Sequence, residues 1–187
     1  MAKVKLDTGS FTYPMPVGIL GTMVDGKPNF MTVAWFSRVD YKPSRIAIAI
    51  NKNHHSTRGV EENGVFSLNL PNRELVVPVD YAGLHSGSKV DKSGLFDVFY
   101  GELEAAPMVE QCPLCVECRV IEKVDLDVDR VYIGEEVAVY ADEGVVDERV
   151  PDLGKIKPYV LAMPANRYFA VAESIGKAWG AGRDYDA

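Results

Sequence analysis

A run of eight polar residues at positions 51–58 holds side chains suited to binding an anion. The run comprises Asn51, Lys52, Asn53, His54, His55, Ser56, Thr57 and Arg58. Ser56 or Thr57 can cap a short helix, which would run to Glu62 and stop at Asn63 and Gly64. The free N–H groups of its first turn would then face the cationic and hydroxyl side chains. This arrangement predicts a phosphate site.

Two strand-like runs precede the donor run and must position it. Residues 29–39 are rich in β-branched and aromatic side chains, which predicts one strand with two distinct faces. On that strand Thr32, Ala34 and Phe36 would share one face, and Val33, Trp35 and Ser37 the other. Residues 45–50 alternate isoleucine with Ala47 and Ala49, so we expect a second strand whose alanine face leaves room for a flat ligand.

Length, composition and charge narrow the class of protein. With 187 residues and 47% apolar content, the chain is expected to form one domain over residues 1–187. It has no apolar run of about 18 residues and no apolar signal core at residues 1–8, which predicts a soluble, cytoplasmic protein without a membrane partner.

The charge is unevenly distributed along the chain. Residues 1–60 carry 8 basic and 3 acidic side chains, a net +5, whereas residues 101–150 carry 4 basic and 14 acidic ones, a net −10. The basic first third suits an anionic cofactor, and the acidic middle argues against nucleic acid as a partner. The acidic stretch is also what a solvated strand face would contain.

Most of the remaining segments have the residue composition of strands. Residues 17–24, 65–70 and 167–172 predict short strands, and residues 114–126 and 131–140 predict a long antiparallel pair. Asp25 and Gly26 predict a hairpin turn. Many short strands with few helical segments indicate a mainly β fold, an antiparallel β-barrel with a few short helices.

The other segments between these strands are less regular. Asn72 can cap a brief helix that Pro78 would limit to about two turns. Residues 81–101, with four glycines, predict a long loop, and such loops are uncommon unless functional. Residues 147–164 predict a meandering connection, and residues 174–179 a terminal turn or short helix.

Three cysteines, Cys112, Cys115 and Cys118, form the C-x2-C-x2-C spacing that begins ferredoxin-type cluster motifs. A cluster would need a fourth thiolate, and the chain has only three cysteines. On a strand, Cys115 and Cys118 would point to opposite faces and could not chelate one metal. We therefore expect no metal site, a buried structural thiol at Cys118 and no disulfide in a reducing cytoplasm.

Six sequence blocks, in the order in which they occur in one known family, give the chain a strong resemblance to that family. They cover residues 13–22, 29–39, 51–71, 80–96, 106–120 and 132–142. The sequence resembles the flavin reductase-like family of FMN-binding split-barrel proteins, and especially its flavoredoxin branch. The resemblance implies a Greek-key split barrel, a homodimer, and non-covalent FMN near the subunit interface.

The resemblance also implies which residues would contact the cofactor. The isoalloxazine would be lined by Met31, Thr32, Val33, Ala34, Trp35 and Ser37. The ribityl chain and phosphate would be held by Asn51, Lys52, Asn53, His54, Ser56 and Thr57, with Lys52, His54 and Thr57 as the direct donors. Ser86, Gly87 and Lys92 would close over the cofactor, where Gly87 permits close backbone approach and a lysine would stabilise the anionic reduced flavin.

Two functions are compatible with this resemblance. The first is an oxidoreductase that moves electrons from NAD(P)H through FMN to free flavin, a ferric chelate or a redox partner. The second is a flavoredoxin-type electron-transfer protein that takes electrons from another protein and has no nicotinamide activity of its own. No G-x-G-x-x-G fingerprint follows a strand, so NAD(P)H would have to stack directly on the flavin. No separate catalytic side chain is expected, because the flavin carries the chemistry.

Overall fold

The computed structural model describes residues 1–183 and 185 and arranges them mainly in antiparallel strands. The strands are β1 (Met15–Pro16), β2 (Gly18–Val24), β3 (Lys27–Val33), β4 (Phe36–Tyr41), β5 (Ser44–Asn51), β6 (Val65–Leu70), β7 (Val98–Phe99), β8 (Met108–Val109), β9 (Leu114–Asp125), β10 (Asp129–Ala141), β11 (Val146–Asp147), β12 (Val150–Pro151), β13 (Tyr159–Ala162) and β14 (Arg167–Ala170). The helices are α1 (His55–Asn63), α2 (Val76–Leu84) and α3 (Leu153–Ile156). The mainly β prediction is confirmed.

The central element is a seven-stranded antiparallel sheet in the order β3-β2-β6-β9-β10-β5-β4. Its two edge strands, β3 and β4, are consecutive in the chain and separated only by Ala34 and Trp35. Two residues span only about 7 Å, so the sheet must curl until its edges meet. The backbone N–H of Ala49 donates to the carbonyl of Trp35 at 2.8 Å and secures this crossing.

The prediction of one continuous strand over residues 29–39 is therefore wrong. β3 pairs with β2 and β4 pairs with β5, so the chain leaves one edge of the sheet at Ala34 and enters the other after Trp35. The predicted alternation of faces does not extend across this break. By contrast, the predicted strands at 17–24, 45–50 and 65–70 and the long antiparallel pair are confirmed, with small shifts at their ends.

The sheet separates two hydrophobic cores. The first core includes Ile19, Phe30, Val79 and Cys115. The second core is built around residues that include Leu20, Met31, Ile48, Phe66, Cys118 and Tyr132. Cys115 and Cys118 thus face opposite sides of β9, as strand alternation predicts.

Helix α1 begins earlier than the sequence predicts. Its N-cap is His54, in an extended conformation, and no side chain caps the first turn. Neither Ser56 nor Thr57 is the cap: Thr57 lies inside the helix, where its hydroxyl donates to the carbonyl of Asn51 at 2.7 Å. The predicted stop is confirmed, because Gly64 takes a left-handed φ of 66° and its N–H donates to Val60 at 2.9 Å.

Helix α2 is longer than predicted. The side chain of Asn72 accepts from the N–H of Glu74 at 3.0 Å and starts a short 3-10 turn, after which α2 runs from Val76 to Leu84. Pro78 does not end the helix because it lies in the first turn, where its missing N–H would have no intrahelical partner. Residues 81–84, expected in a loop, therefore belong to α2, and the rest of the loop contains β7.

The carboxyl-terminal part contains more regular structure than the sequence indicates. The predicted connection at 147–164 includes β12, α3 and β13, and β13 joins β1 and β14 in a three-stranded sheet. The strand at 167–172 is confirmed but ends at Ala170, and residues 174–179 show a turn without a helix. In residues 1–183 and 185, no helix has the length and apolar character needed to cross a membrane.

Candidate functional site

Two adjoining cavities of about 310 and 230 Å³ share Met31, Thr32 and His54. Together they form what we call the trough. Its ring half, the larger cavity, is further lined by Val33, Ala34, Trp35, Ala49, Ile50, Asn51 and Asp129. Its loop half is further lined by His55, Ser56, Ala82, Gly83, Leu84, His85, Ser86, Gly87 and Lys92.

Eleven of the fifteen residues named from the sequence line the trough: Met31, Thr32, Val33, Ala34, Trp35, Asn51, His54, Ser56, Ser86, Gly87 and Lys92. Ser37 lies in an adjoining cavity of about 630 Å³, which shares Ala34, Trp35 and Ala49 with the ring half. Lys52, Asn53 and Thr57 line neither cavity of the trough.

The ring half owes its flat, apolar wall to the alternation of β5. Ile48 and Ile50 are buried in the second core, so Ala47 and Ala49 point outward and leave the space that the sequence predicts. Trp35, 47% exposed, borders the same space at the crossing between β3 and β4. The result is a wide slot between small side chains and one indole.

The loop at residues 51–54 is held by its own hydrogen bonds and by the turn between β9 and β10. The ammonium of Lys52 donates to the carbonyl of Leu126 and lies 3.5 Å from the carboxylate of Asp125. The backbone N–H of Lys52 donates to Val128 at 3.1 Å, and that of Asn53 donates to the side chain of Asn51 at 2.9 Å. Lys52 therefore fixes the loop against the hairpin.

Glu61 anchors α1 to the strands beneath it. Its carboxylate accepts from Lys123, Arg130 and the hydroxyl of Tyr132, each at 2.7 Å. Hydrogen bonds from these groups, that of Lys123 first, lower the pKa of Glu61 to about 2. This network fixes the direction in which the N-terminus of α1 points.

The loop half is shaped by Lys92, which is only 4% exposed. Its ammonium donates to the carbonyls of Ala82 at 2.9 Å and His85 at 2.8 Å, and so satisfies the C-terminal end of α2. Burial lowers the pKa of Lys92 to about 8. Lys92 thus holds the segment that forms one wall of the trough.

The opposite wall is the first turn of α1, and Gly87 brings the two walls together. A Cβ atom at Gly87 would overlap the side chains of Asn29 and His55, so only glycine allows this approach. His54, at the N-cap of α1, and His55 and Ser56 of its first turn line the space between the walls together with Lys92. Such a combination attracts an anion.

The three cysteines are buried free thiols. Burial raises the pKa of Cys115 and Cys118 to about 12 and that of Cys112 further, so all three are neutral at ordinary pH. Within the described part of the chain, no group of three or more His, Cys, Asp or Glu side chains could hold a metal ion.

Comparison with known proteins identifies the family. The model of the flavin reductase like domain matches residues 10–171. The chain belongs to the flavin reductase-like family. The family resemblance read from the sequence blocks is thereby confirmed.

Solved structures of this family share the fold over nearly the whole chain. The flavoredoxin from Methanosarcina acetivorans is 44% identical, with a TM-score of 0.95 and coverage of 98% of both chains. The flavoredoxin of Desulfovibrio vulgaris (Miyazaki F) is 32% identical, with a TM-score of 0.90 and coverage of 97% of this chain and all of that one. A curated relative, the ferric-chelate reductase (NAD(P)H) of Archaeoglobus fulgidus, is 27% identical over 114 residues, 54% of this chain and 66% of that protein.

Proposed function

We propose that this flavin reductase-like protein is an FMN-dependent oxidoreductase that moves electrons from NAD(P)H through bound FMN to an acceptor. The acceptor would be free flavin, a ferric chelate or a redox partner. The observation that carries the proposal is the trough, which joins a flat apolar slot to a polar pocket at a helix N-terminus. A mononucleotide with a planar ring and one terminal phosphate has the same division into an apolar and an anionic end.

The isoalloxazine would occupy the ring half. Ala34 and Ala49 leave space for a planar ring, and Trp35 offers an aromatic surface beside it. The backbone at residues 31–35 would supply polar groups to the ring edge, because β3 is an edge strand with one unpaired side and its pairing with β2 ends at Val33. Bound FMN would supply the two-electron chemistry, and these residues would orient it and exclude water.

The phosphate would occupy the loop half. The first turn of the nine-residue helix α1 contains no acidic residue that would offset its positive N-terminal potential. Ser56 and His54 would donate from α1 and its N-cap, and the Ser86–Gly87 turn and Lys92 would complete the enclosure. Lys52, Asn53 and Thr57 would act through the shape of the loop that precedes α1.

NAD(P)H would approach from the adjoining cavity of about 630 Å³ that begins at Trp35. That cavity is apolar along Ile46, Ala47 and Leu68 and borders the same Ala49 surface as the ring half. A nicotinamide placed there would stack on the flavin without a Rossmann domain. The ferric-chelate reductase of Archaeoglobus fulgidus, named for NAD(P)H, favours a nicotinamide donor for this chain as well.

A second copy of the chain is proposed to pack against β4 at the edge of this cavity and form a homodimer. The outer face of β4 is exposed, and Val39 and Tyr41 are among its large apolar side chains. Residues 1–14 extend from the sheet with Phe11 and Tyr13 packed together, and Tyr13 reaches the adjoining cavity. Apolar arms and faces of this kind are typical of surfaces that a partner chain buries.

The central test is a spectrum followed by anaerobic reduction. We expect the purified protein to be yellow and to release FMN, without FAD, on denaturation. We expect rapid bleaching by NADH or NADPH under anaerobic conditions. Bleaching by reduced ferredoxin alone would favour the flavoredoxin-type carrier, and a colourless protein that ignores added FMN would contradict the proposal.

Lys92 makes FMN affinity depend on pH. Burial holds its pKa at about 8, below the ordinary 10.5, and a nearby phosphate would favour the charged form and raise it again. FMN binding would then take up a proton above about pH 8. We expect FMN affinity to be level between about pH 7 and 8 and to fall by up to about tenfold per pH unit above that range.

Titration of the FMN-free protein at several pH values measures this dependence. The Lys92→Met variant should lose the slope, because it keeps the length of the side chain without the ammonium. Lys89→Met, an exposed lysine on the same loop, should keep it. An equal slope in Lys92→Met would show that another group titrates.

A further inference from the structure

Asn29 lies behind the loop half of the trough and contacts both of its walls. It is on β3 and only 6% exposed, and it borders a separate cavity of about 390 Å³ rather than the trough. Its amide Nδ2 donates to the hydroxyl of Ser56 at 2.7 Å. Its Oδ1 lies against Gly87 on the opposite wall. A single buried side chain thus joins the first turn of α1 to the Ser86–Gly87 turn.

The bond from Asn29 determines what the Ser56 hydroxyl can do. A serine hydroxyl has one hydrogen to donate and lone pairs that accept. Because Asn29 donates to this oxygen, the Ser56 hydrogen must point elsewhere. Ser56 is buried and lines the loop half, and no hydrogen bond from its hydroxyl reaches another residue in the described part of the chain. The hydrogen is therefore available to a ligand in the trough.

The contact with Gly87 sets the width of the same pocket. The close approach of Gly87 to Asn29 and His55 leaves no space for a side chain, so the 86–87 turn rests directly on Asn29. Loss of this support would let the turn move relative to α1. A phosphate needs donors at fixed positions, so even a small shift would weaken binding.

We propose that Asn29 is the positioning residue of the phosphate pocket, orienting the Ser56 hydroxyl as a donor and fixing the Ser86–Gly87 turn against α1. This inference rests on the proposed function, because it takes the FMN phosphate as the anion. Asn29 itself does not touch the ligand. Its effect should therefore appear in FMN, which carries the phosphate, and be absent from riboflavin, which lacks it.

The test compares the affinities of FMN and riboflavin for the FMN-free protein and its variants. In Asn29→Leu the side chain keeps a similar size but can neither donate nor accept. In Asn29→Asp the shape is retained, but the carboxylate can only accept, so Ser56 would donate to it and turn its hydrogen away from the trough. We expect both variants to bind FMN about tenfold or more weakly and riboflavin within about twofold of wild type.

A double-mutant cycle distinguishes a role of Asn29 in positioning Ser56 from a general effect on stability. Ser56→Ala should also weaken FMN binding, and adding Asn29→Leu should weaken it by less than the product of the two single effects. Asn69→Asp is the matched control: Asn69 is also buried, on β6, but it bonds to Ser67, Ile19 and Val109, away from the trough. It should lower stability without changing the ratio of FMN to riboflavin affinity.

The possible results separate failure of the positioning role of Asn29 from failure of the proposed function. If wild type binds FMN and riboflavin equally well, the phosphate pocket itself is misplaced. If wild type prefers FMN and the Asn29 variants keep the full preference, or lose both ligands equally, the positioning role of Asn29 is overturned. Should Asn29→Leu fail to fold, the isosteric Asn29→Asp variant decides the question alone.

Discussion

Replacing Ala49 by tryptophan should strongly weaken flavin binding while leaving the fold intact. Ala49 lies on the outer face of β5, lines both the ring half and the adjoining cavity, and is half-buried. An indole there would extend into the trough rather than into the core, because Ile48 and Ile50 occupy the inward positions. Steric overlap typically costs 1–3 kcal/mol, and the stacking surface would be lost as well. We expect affinity to fall by about a hundredfold or more.

The measurement is a titration of the FMN-free variant with FMN and with riboflavin. FMN and riboflavin should lose affinity to a similar extent, because Ala49→Trp obstructs the ring that both ligands share. Val150→Trp, which adds the same indole to an exposed residue outside the trough, should bind both normally. Normal flavin binding by Ala49→Trp, with an unchanged melting temperature, would place the ring elsewhere.

Removing the carboxylate of Glu117 should cause a large loss of stability. Glu117 is fully buried on β9, and its two oxygens accept from the backbone N–H groups of Glu102 and Leu103. Glu117→Leu would leave both N–H groups without a partner, at about 1–3 kcal/mol each. We expect the free energy of unfolding to fall by about 3 kcal/mol, a large part of the 5–15 kcal/mol typical of a domain.

Urea unfolding of the FMN-free protein at a fixed protein concentration would measure this loss. Glu122→Leu is the control, since Glu122 is an exposed glutamate on the same strand, and its replacement should change stability by less than about 0.5 kcal/mol. Similar losses in the two variants would mean that the backbone bonds to Glu117 contribute little.

The sequence predicts those elements whose start and end are marked by neighbouring residues. The sequence predicts β6 to the residue because an alternating run is bounded by Asn63 and Gly64 on one side and Pro71 on the other. The break at Ala34 and Trp35 carries no such signal, because it follows from the closure of the sheet. The effect of Pro78 is not predicted for a related reason. A proline ends a helix only when it lies beyond the first turn, and the preceding 3-10 turn moves the helix start toward Pro78.

The same difference between local and long-range signals explains which site residues the sequence could indicate. The donor run at 51–58 and the glycine at 87 are contiguous in sequence and carry recognisable chemistry. Asp129 enters the ring half only because β10 pairs with β5 so that Asp129 lies opposite Asn51, and this register is long-range information. His85 and Ala82 enter the loop half only because α2 continues past Pro78.

The separation of the two cores by the sheet affects how the protein can accumulate substitutions during evolution. The ring half is backed by Met31 and Val33 of the second core, whereas Phe96, Met108 and most of the first core lie beyond it. Substitutions on separate sides of a sheet that share no partners usually have additive effects. The first core can therefore accumulate stabilising or destabilising changes while the slot for the ring keeps its shape, so thermal adaptation and flavin recognition can evolve at different rates in one small domain.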